Sequence, residues 1–267
     1  MDSRPIGVFD SGVGGLTVLR EILKVVPDED IIYFGDTARV PYGPRDLDEV
    51  RRFVFKITKF LSEKDVKLIV IACNTSTAAA LDQLNNRYGI PIIGVIEPGA
   101  RTAVNTTSNR KVGVIATRGT VESGAYRQAI HKIDKGIEVY SAAAPRLVEY
   151  VEEGILSGQQ LDRAICGYIE PLLLEDIDVL IMGCTHFPLI EDPIAGCAGK
   201  KVKVISSAVE TAADVSKVLK QYDMAAPGDR KPTRLFYETG YGSHFFEVGR
   251  VFLGEDIKDV ISINLEL

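Results

Sequence analysis

Two of the four cysteines stand where a thiol can do chemistry. Cys73 follows the apolar run Lys67–Ala72, which has the composition of a buried strand, and it precedes the polar residues Asn74–Ser76. Those polar residues can cap a helix, whose positive end would stabilise a thiolate. An inert, buried cysteine is the alternative. Placement at a strand's carboxyl end, where α/β sheets bind ligands, favours the functional thiol.

Cys184 has the same placement, after the apolar run Asp178–Met182, and Thr185 and His186 follow it directly. A histidine two residues from a thiol can serve as its base or hold it in position. Without Cys184 nearby, His186 would be interpreted as a packed or surface histidine. The other two histidines, His131 and His244, lie in helix-like segments without a nearby cysteine, and we interpret them as structural.

The remaining cysteines lack this context. Cys166 lies on the apolar face of a predicted helix, and Cys197 lies in a predicted loop. Without a secretory signal, four cysteines in a chain of this size indicate reduced thiols rather than disulfides. No two of them form a C-x-x-C pair, so no structural metal site is expected.

Asp10 and Ser11 end the first predicted strand, in the sequence VFDSGVGG. Asp10 either caps the next helix or points into a binding cleft. The glycines that follow would let the backbone approach an anion, but they lack the third spaced glycine of a dinucleotide fingerprint, and the chain has no P-loop sequence. Nucleotide binding is therefore not favoured.

The segment Asp36–Arg45 has two prolines around Tyr42 and Gly43, which predict a stiff turn. Tyr42 and the backbone amides after it can contact a carboxylate. A plain surface turn is the alternative.

Composition narrows the class of protein. The 267 residues are 46% hydrophobic and 25% charged, which is typical of a globular chain. A formal net charge of −6 disfavours nucleic acid or an anionic membrane as partner. We find neither a signal peptide nor a run of about 20 apolar residues, so we expect a cytoplasmic protein.

Short apolar runs alternate with helical patterns, which predicts an α/β fold with mainly parallel sheet. Helices are predicted on the stripe Leu16–Val26, stopped by Pro27, on Val50–Leu61 and near Val209–Gln221. The predicted strands are Pro5–Phe9, Ile31–Phe34, Lys67–Ala72, Pro91–Val95, Lys111–Ala116, Glu138–Tyr140, Asp178–Met182, Val202–Ile205, Arg234–Tyr237 and Val260–Ile263.

Part of the chain repeats. The strand and turn at Gly7–Gly12 recur at Gly113–Gly119, and the strand ending in Cys73 at Ile69–Thr75 recurs at Leu180–His186 with nearly the same offset. We therefore expect two related α/β units with the two cysteines at matching strand ends, facing each other across a cleft.

Taken together, these motifs resemble one family. Cys73 with Asn74 and Thr75, Cys184 with Thr185 and His186, the opening FDSGVGG, the PYG of Pro41–Gly43 and the A-T-x-x-T of Ala116–Thr120 are similar to the glutamate racemases of the cofactor-independent aspartate/glutamate racemase superfamily. The resemblance runs in the same order from the first strand to the last.

The resemblance implies a fold and an activity. The fold would be two pseudo-symmetric, three-layer α/β domains with mainly parallel sheets, comprising residues 1–97 with 207–267 and residues 98–206, and with the active site in the cleft between them. The activity would be interconversion of L- and D-glutamate without a cofactor or metal, supplying D-glutamate for peptidoglycan synthesis, cell wall biogenesis and cell shape. A homodimer is implied as well.

The resemblance also implies roles for individual residues. Cys73 and Cys184 would be the catalytic thiols, with Asp10 assisting Cys73 and His186, supported by Glu152, assisting Cys184. The residues that would line the substrate site are Asp10, Ser11, Pro41, Tyr42, Gly43, Asn74, Thr75, Thr117, Thr120, Thr185 and His186.

The chain departs from the family's pattern at two places. Phe187 replaces a common tyrosine, and Arg146 and Glu149 interrupt a segment that is usually more apolar. The second departure leaves Glu149 and Glu153 open as alternatives to Glu152.

Racemisation removes the α-proton from one face of the substrate and returns a proton to the other, and two fixed thiols can do both. Three other functions fit some of the residues. An aspartate racemase would differ mainly in pocket length. A cysteine hydrolase would use Cys184 and His186 but leave Cys73 without a role. A non-catalytic binding protein would keep the pocket without the reaction.

Overall fold

The computed structural model describes residues 1–228, 231–240 and 243–265, except for the side chains of Ser243 and His244. The prediction for His244 therefore lies outside the side chains described. Two compact units are present, one formed by residues 1–95 with those from 208 onward, the other by Ile96–Ser207. Both alternate helices with parallel strands, so the predicted α/β class is confirmed.

The first unit has a six-stranded parallel sheet. Its strands are β1 (Ile6–Asp10), β2 (Ile31–Gly35), β3 (Leu68–Ile71), β4 (Ile92–Gly94), β9 (Arg234–Glu238) and β10 (Val260–Ser262), in the order β10-β9-β2-β1-β3-β4. Its helices are α1 (Leu16–Val25), α2 (Leu47–Glu63), α3 (Asn74–Asn85), α10 (Ala208–Gln221) and α11 (Ser243–Leu253).

The central strands of this sheet are covered on both faces. Val8 and Val70 pack into one apolar cluster with α1 and α10, whereas Phe9 and Ile71 pack into another with α2 and α3. Because successive side chains of a strand point to opposite faces, a strand that is buried on both sides is apolar at every position.

The second unit has a four-stranded parallel sheet in the order β6-β5-β7-β8. Its strands are β5 (Lys111–Ala116), β6 (Glu138–Ala143), β7 (Val179–Gly183) and β8 (Lys203–Ser206). Its helices are α4 (Ile96–Thr106), α5 (Arg118–Glu122), α6 (Ala125–Ile133), α7 (Pro145–Glu152), α8 (Gln159–Leu173) and α9 (Glu191–Ala198).

Element bounds differ from the predicted ones where side chains or pairing extend an element. The second helix begins at Leu47 because the Asp46 carboxylate accepts a hydrogen bond from the Asp48 backbone N–H. Strand β6 continues to Ala143 because it pairs with β5 along its whole length. None of the described helices is long and apolar enough to cross a membrane.

The prediction of four reduced thiols is wrong for two of them. Cys166 and Cys197 form a disulfide, with their Cα atoms 5.5 Å apart. Cys197 lies on α9 rather than in a loop, and α9 packs against α8, which carries Cys166. The two cysteines are 31 residues apart in sequence, and nothing in the sequence indicated that their helices pair, so a disulfide between them was not expected. Cys73 and Cys184 are buried and are not in a disulfide.

Candidate active site

Three neighbouring strands of the first unit end at the same edge of the sheet, and each ends in, or is followed by, a residue with a carboxylate or thiol side chain. Asp10 is the last residue of β1, Asp36 follows β2 directly, and Cys73 lies just beyond β3. Asp10 pairs in register with the end of β2, and the Ala72 N–H donates to the Phe9 carbonyl. Carboxylates and thiol are thereby gathered at the carboxyl ends of parallel strands, where α/β sheets bind ligands.

Cys73 is itself the N-cap of α3, whereas the sequence suggested the polar residues after it as caps. Its Sγ accepts a hydrogen bond from the Ser76 backbone N–H at 3.4 Å. Asn74 and Thr75 occupy the first turn of the helix and are buried. The N–H groups and the positive end of the helix dipole therefore act directly on the sulfur and favour its anionic form.

Asp10 is fully buried, and its Oδ1 accepts a hydrogen bond from the Gly12 N–H at 2.9 Å. It does not cap α1, because the N-cap of that helix is Gly15. A Cβ at Gly15 would stand 2.4 Å from the Asp10 Cβ, so only glycine lets the start of α1 approach this carboxylate. Ser11, the next residue along, is buried as well.

The segment after β2 is not a surface turn, so that alternative is wrong for Tyr42. A short 3₁₀ helix, Thr37–Arg39, leads into it. Tyr42 is 1% exposed and belongs, as Cys73 does, to the apolar cluster of α2 and α3. Gly43 is buried, whereas Pro41 is exposed. The Tyr42 hydroxyl donates to Asp36 Oδ2.

The charge state of Tyr42 follows from this environment. Burial, together with the negative charges of Asp36 and Cys73, raises the pKa of the Tyr42 phenol well above its ordinary value. The phenol is therefore neutral, and its proton is held by Asp36.

In the second unit, Cys184 lies just beyond β7 and is coupled to a histidine and a carboxylate. Its Sγ is 3.5 Å from His186 Nδ1, and His186 Nε2 is 2.5 Å from Glu152 Oε1. Burial alone would lower the pKa of His186, but the charges and hydrogen bonds of Cys184 and Glu152 outweigh it and raise that pKa well above its ordinary value. A protonated imidazole between a sulfur and a carboxylate stabilises negative charge on the sulfur.

Glu152 is the carboxylate that reaches His186. It ends α7 and is about three-quarters buried, with 24% of its side chain exposed. Glu149 forms an exposed ion pair with Arg146 instead, and Glu153 is exposed at the C-cap. Of the three glutamates that the sequence left open, only Glu152 is shown in contact with His186.

Threonine side chains lie at the same edge of the second sheet. Thr117 follows β5, whose last residue pairs with Gly183 of β7, so Thr117 and Cys184 are neighbours across the strand ends. Thr117 caps α5, and its Oγ1 lies 3.0 Å from the Thr120 Oγ1. Thr185 is buried between Cys184 and His186.

Sequence reasoning missed two residues beside the thiols. Asp36 is fully buried and bonded to Tyr42, but from the sequence we named it only as the first residue of the predicted turn Asp36–Arg45. Tyr126 of α6 packs so closely on Gly183 that a Cβ there would stand 2.9 Å from its ring. Burial and the charge of Cys184 raise the pKa of the Tyr126 phenol. An isolated tyrosine on an amphipathic helix carries no sequence signal for such a role, whereas an aspartate directly after a strand does.

Comparison with known proteins identifies the class. The family model described as Asp/Glu/Hydantoin racemase matches residues 6–215, so the chain belongs to that family. Together with the curated relatives, this confirms the prediction of an amino-acid racemase.

The similar proteins share nearly the whole chain. A glutamate racemase from Corynebacterium diphtheriae is 46% identical over 97% of this chain and 98% of its own. A crystal structure of a glutamate racemase isoform from Bacillus anthracis has a TM-score of 0.95 at 43% identity, covering 99% of both chains. A glutamate racemase from Francisella tularensis in complex with D-glutamate has a TM-score of 0.93 at 37% identity, covering 100% of this chain and 99% of the other.

Proposed function

We propose that this racemase interconverts L- and D-glutamate, with Cys73 and Cys184 as the two groups that move the α-proton. The observation that carries the proposal is that each unit holds a buried thiol just beyond the carboxyl end of a strand, next to a partner that stabilises its anion. One thiolate removes the α-proton from one face of the substrate while the other thiol delivers a proton to the opposite face. The roles reverse when the reaction runs backward, and the proposal requires both thiols to reach one substrate.

Each thiol has its own assistant in this mechanism. Asp10 ends β1, which pairs with the strand that leads to Cys73, and we assign to it the substrate ammonium or the displaced proton. His186 bonds to Cys184 and is oriented by Glu152. This arrangement of reacting group, base and orienting carboxylate is a general pattern for activating a nucleophile or base.

The substrate class follows from the neutral donors around the thiols and from the relatives. Two relatives are named glutamate racemases, and a similar structure holds D-glutamate. Hydroxyl, amide and backbone N–H groups bind carboxylates without adding negative charge that would oppose the carbanion-like transition state. The residues that we assign to substrate binding are Asp10, Ser11, Pro41, Tyr42, Gly43, Asn74, Thr75, Thr117, Thr120, Thr185 and His186.

The α-proton is so weakly acidic that the site must stabilise the developing charge by orientation, exclusion of water and aligned dipoles. We infer that no cofactor takes part. Purified protein should keep its full turnover after exhaustive dialysis against a chelator, with no cofactor added. Loss of activity that pyridoxal phosphate or a divalent metal restores would contradict this.

We infer that the enzyme works in the cytoplasm as a homodimer and supplies D-glutamate for peptidoglycan synthesis, cell wall biogenesis and cell shape. Expression of the chain should restore growth and cell shape to a D-glutamate auxotroph without added D-glutamate. Light scattering after size exclusion should give twice the 29.2 kDa of one chain.

The deciding experiment is ¹H NMR in heavy water with each enantiomer of glutamate. The wild-type protein should replace the α-proton with deuterium and bring either enantiomer to an equal mixture. Aspartate should be turned over far more slowly, and mass spectrometry should find no acyl adduct on Cys184, as a hydrolase would give. Cys166→Ser is the matched control, because it replaces a cysteine of the same unit as Cys184 whose sulfur is in the disulfide with Cys197. Glutamate that keeps its α-proton would overturn the proposal.

A further inference from the structure

The carboxylate of Asp36 is satisfied on every side although no solvent reaches it. Asp36 Oδ1 accepts from Arg39 Nη1 at 2.6 Å and from Thr239 Oγ1 at 2.7 Å, and Asp36 Oδ2 accepts from the Tyr42 hydroxyl. Its backbone N–H donates to the Asp10 carbonyl at 3.1 Å. A buried carboxylate persists only when it is paired and hydrogen-bonded, and these contacts fulfil that condition.

The same contacts fix the segment that carries Tyr42. The Arg39 guanidinium also donates to the Leu265 carbonyl at 2.6 Å and lies over the Phe53 ring, 5.1 Å from its centroid. The Tyr42 ring packs on the same Phe53, with centroids 5.6 Å apart. Tyr42 is thus held by its ring on one side and by its hydroxyl on the other, and Asp36 determines where the hydroxyl proton points.

That direction matters because Tyr42 and Cys73 share one apolar cluster and act on each other electrostatically. A hydroxyl that donates to a thiolate stabilises it and makes it a weaker base. Because the Tyr42 proton is committed to Asp36, the phenol oxygen is left as an acceptor. The backbone N–H of Ser76 donates a hydrogen bond to the Cys73 sulfur, and the Tyr42 hydroxyl does not donate a further one.

We propose that Asp36 is a positioning residue for the Cys73 half of the site: it withholds the Tyr42 hydroxyl proton from the sulfur and so preserves the base strength of the thiolate. This inference rests on the proposed racemase function. It assigns no contact between Asp36 and the substrate.

The test begins with Asp36→Asn, because an amide keeps the size but is a much poorer acceptor. We expect kcat/KM to fall about 10- to 100-fold, the range that corresponds to losing a hydrogen bond to a charged group. The fall must be equal for both enantiomers because the equilibrium constant of racemisation is one. KM should change far less than kcat.

Isotope effects separate positioning from general damage. With α-deuterated substrates, slowing only the Cys73 step raises the primary isotope effect on kcat/KM for the enantiomer that Cys73 deprotonates and lowers it for the other. Distortion of the whole site slows both steps and leaves the two effects in their wild-type ratio. An unchanged ratio in Asp36→Asn would overturn the inference.

A double-mutant cycle with Tyr42→Phe tests the path of the effect. Tyr42→Phe carries a loss of its own, but adding Asp36→Asn to it should cost less than about 3-fold, because no hydroxyl remains to be redirected. If Asp36→Asn costs the same factor in both backgrounds, Asp36 does not act through Tyr42 and the inference fails. If Asp36→Asn does not fold, Tyr42→Phe alone decides. It removes a hydroxyl that does not donate to the sulfur, so the isotope effects for the two enantiomers should keep their wild-type ratio, and a change in opposite directions would overturn the inference.

The matched control is Asp178→Asn. Asp178 precedes β7, at the amino end of that strand, and accepts from Thr107 Oγ1 at 2.6 Å and from two backbone N–H groups. Its loss should lower stability and leave the isotope effects unchanged. Wild-type protein without racemase activity would refute the proposed function itself, whereas an active wild type with unresponsive Asp36 variants would refute only this inference.

Discussion

The two thiols occupy equivalent positions in their units but are stabilised by different chemistry. The sulfur of Cys73 takes a backbone N–H at the start of α3, a fixed dipole that does not titrate. The sulfur of Cys184 faces His186, whose positive charge depends on pH and on Glu152. One unit thus provides a permanent partner and the other a switchable one, so changes of pH and of side chain should affect the two proton transfers unequally.

The largest effect should come from removing either sulfur. Cys73→Ser and Cys184→Ser should each lower racemisation about 10²- to 10⁴-fold, the usual contribution of one general base, because a serine hydroxyl is a far poorer base at neutral pH. In heavy water each variant should still exchange the α-proton of one enantiomer with retention, because one thiolate reaches only one face. The two variants should exchange the α-proton of opposite enantiomers. Exchange of the same enantiomer by both variants would contradict the assignment of one thiol to each face.

The next effect should come from Glu152→Gln. Glutamine keeps the size of the side chain but removes the charge that supports protonated His186. We expect kcat to fall about 10- to 100-fold, equivalent to about 1.4 to 2.7 kcal/mol. The α-deuterium isotope effect should rise for the enantiomer that Cys184 deprotonates. Glu149→Gln is the matched control, since it changes a glutamate of the same helix that only pairs with Arg146. Equal losses in both variants would argue against the assignment of Glu152.

The sequence predicted what depends on local chemistry. Near-continuous apolar runs placed the strands, and polar residues after them placed Cys73 and Cys184 at strand ends. Two features depended on packing that no local pattern reports. The sequence around Tyr42 is that of a turn, but Tyr42 is buried because its ring packs on Phe53 and its hydroxyl donates to Asp36. Choosing Glu152 over its neighbours required knowing where α7 ends and which of its side chains points at His186.

The contribution of His186 to the free energy of unfolding should depend on pH. The folded-state pKa of His186 is raised above its unfolded value of about 6.5, so its contribution to the free energy of unfolding is fully present below that pH and is lost as pH rises through the folded pKa. His186→Asn should therefore destabilise the protein most at pH 6 and progressively less at alkaline pH. Urea unfolding at several pH values measures this. A difference between the two proteins that grows with pH would contradict it.

The smallest effect on activity should come from the disulfide, which joins α8 and α9. In the chain-entropy description, a closed loop of this size contributes roughly 3 to 4 kcal/mol, and measured values are often lower. Cys166→Ser and Cys197→Ser should therefore each lower the free energy of unfolding by about 2 to 4 kcal/mol while kcat and both isotope effects stay at the wild-type level. Dithiothreitol should lower the wild-type protein to the stability of the variants and leave the variants unchanged. A shift in the isotope effect of the Cys184 step in either variant would contradict this. It would mean that the position of α9 affects the His186 segment that precedes it, so that the partner of Cys184 would depend on redox state as well as on pH.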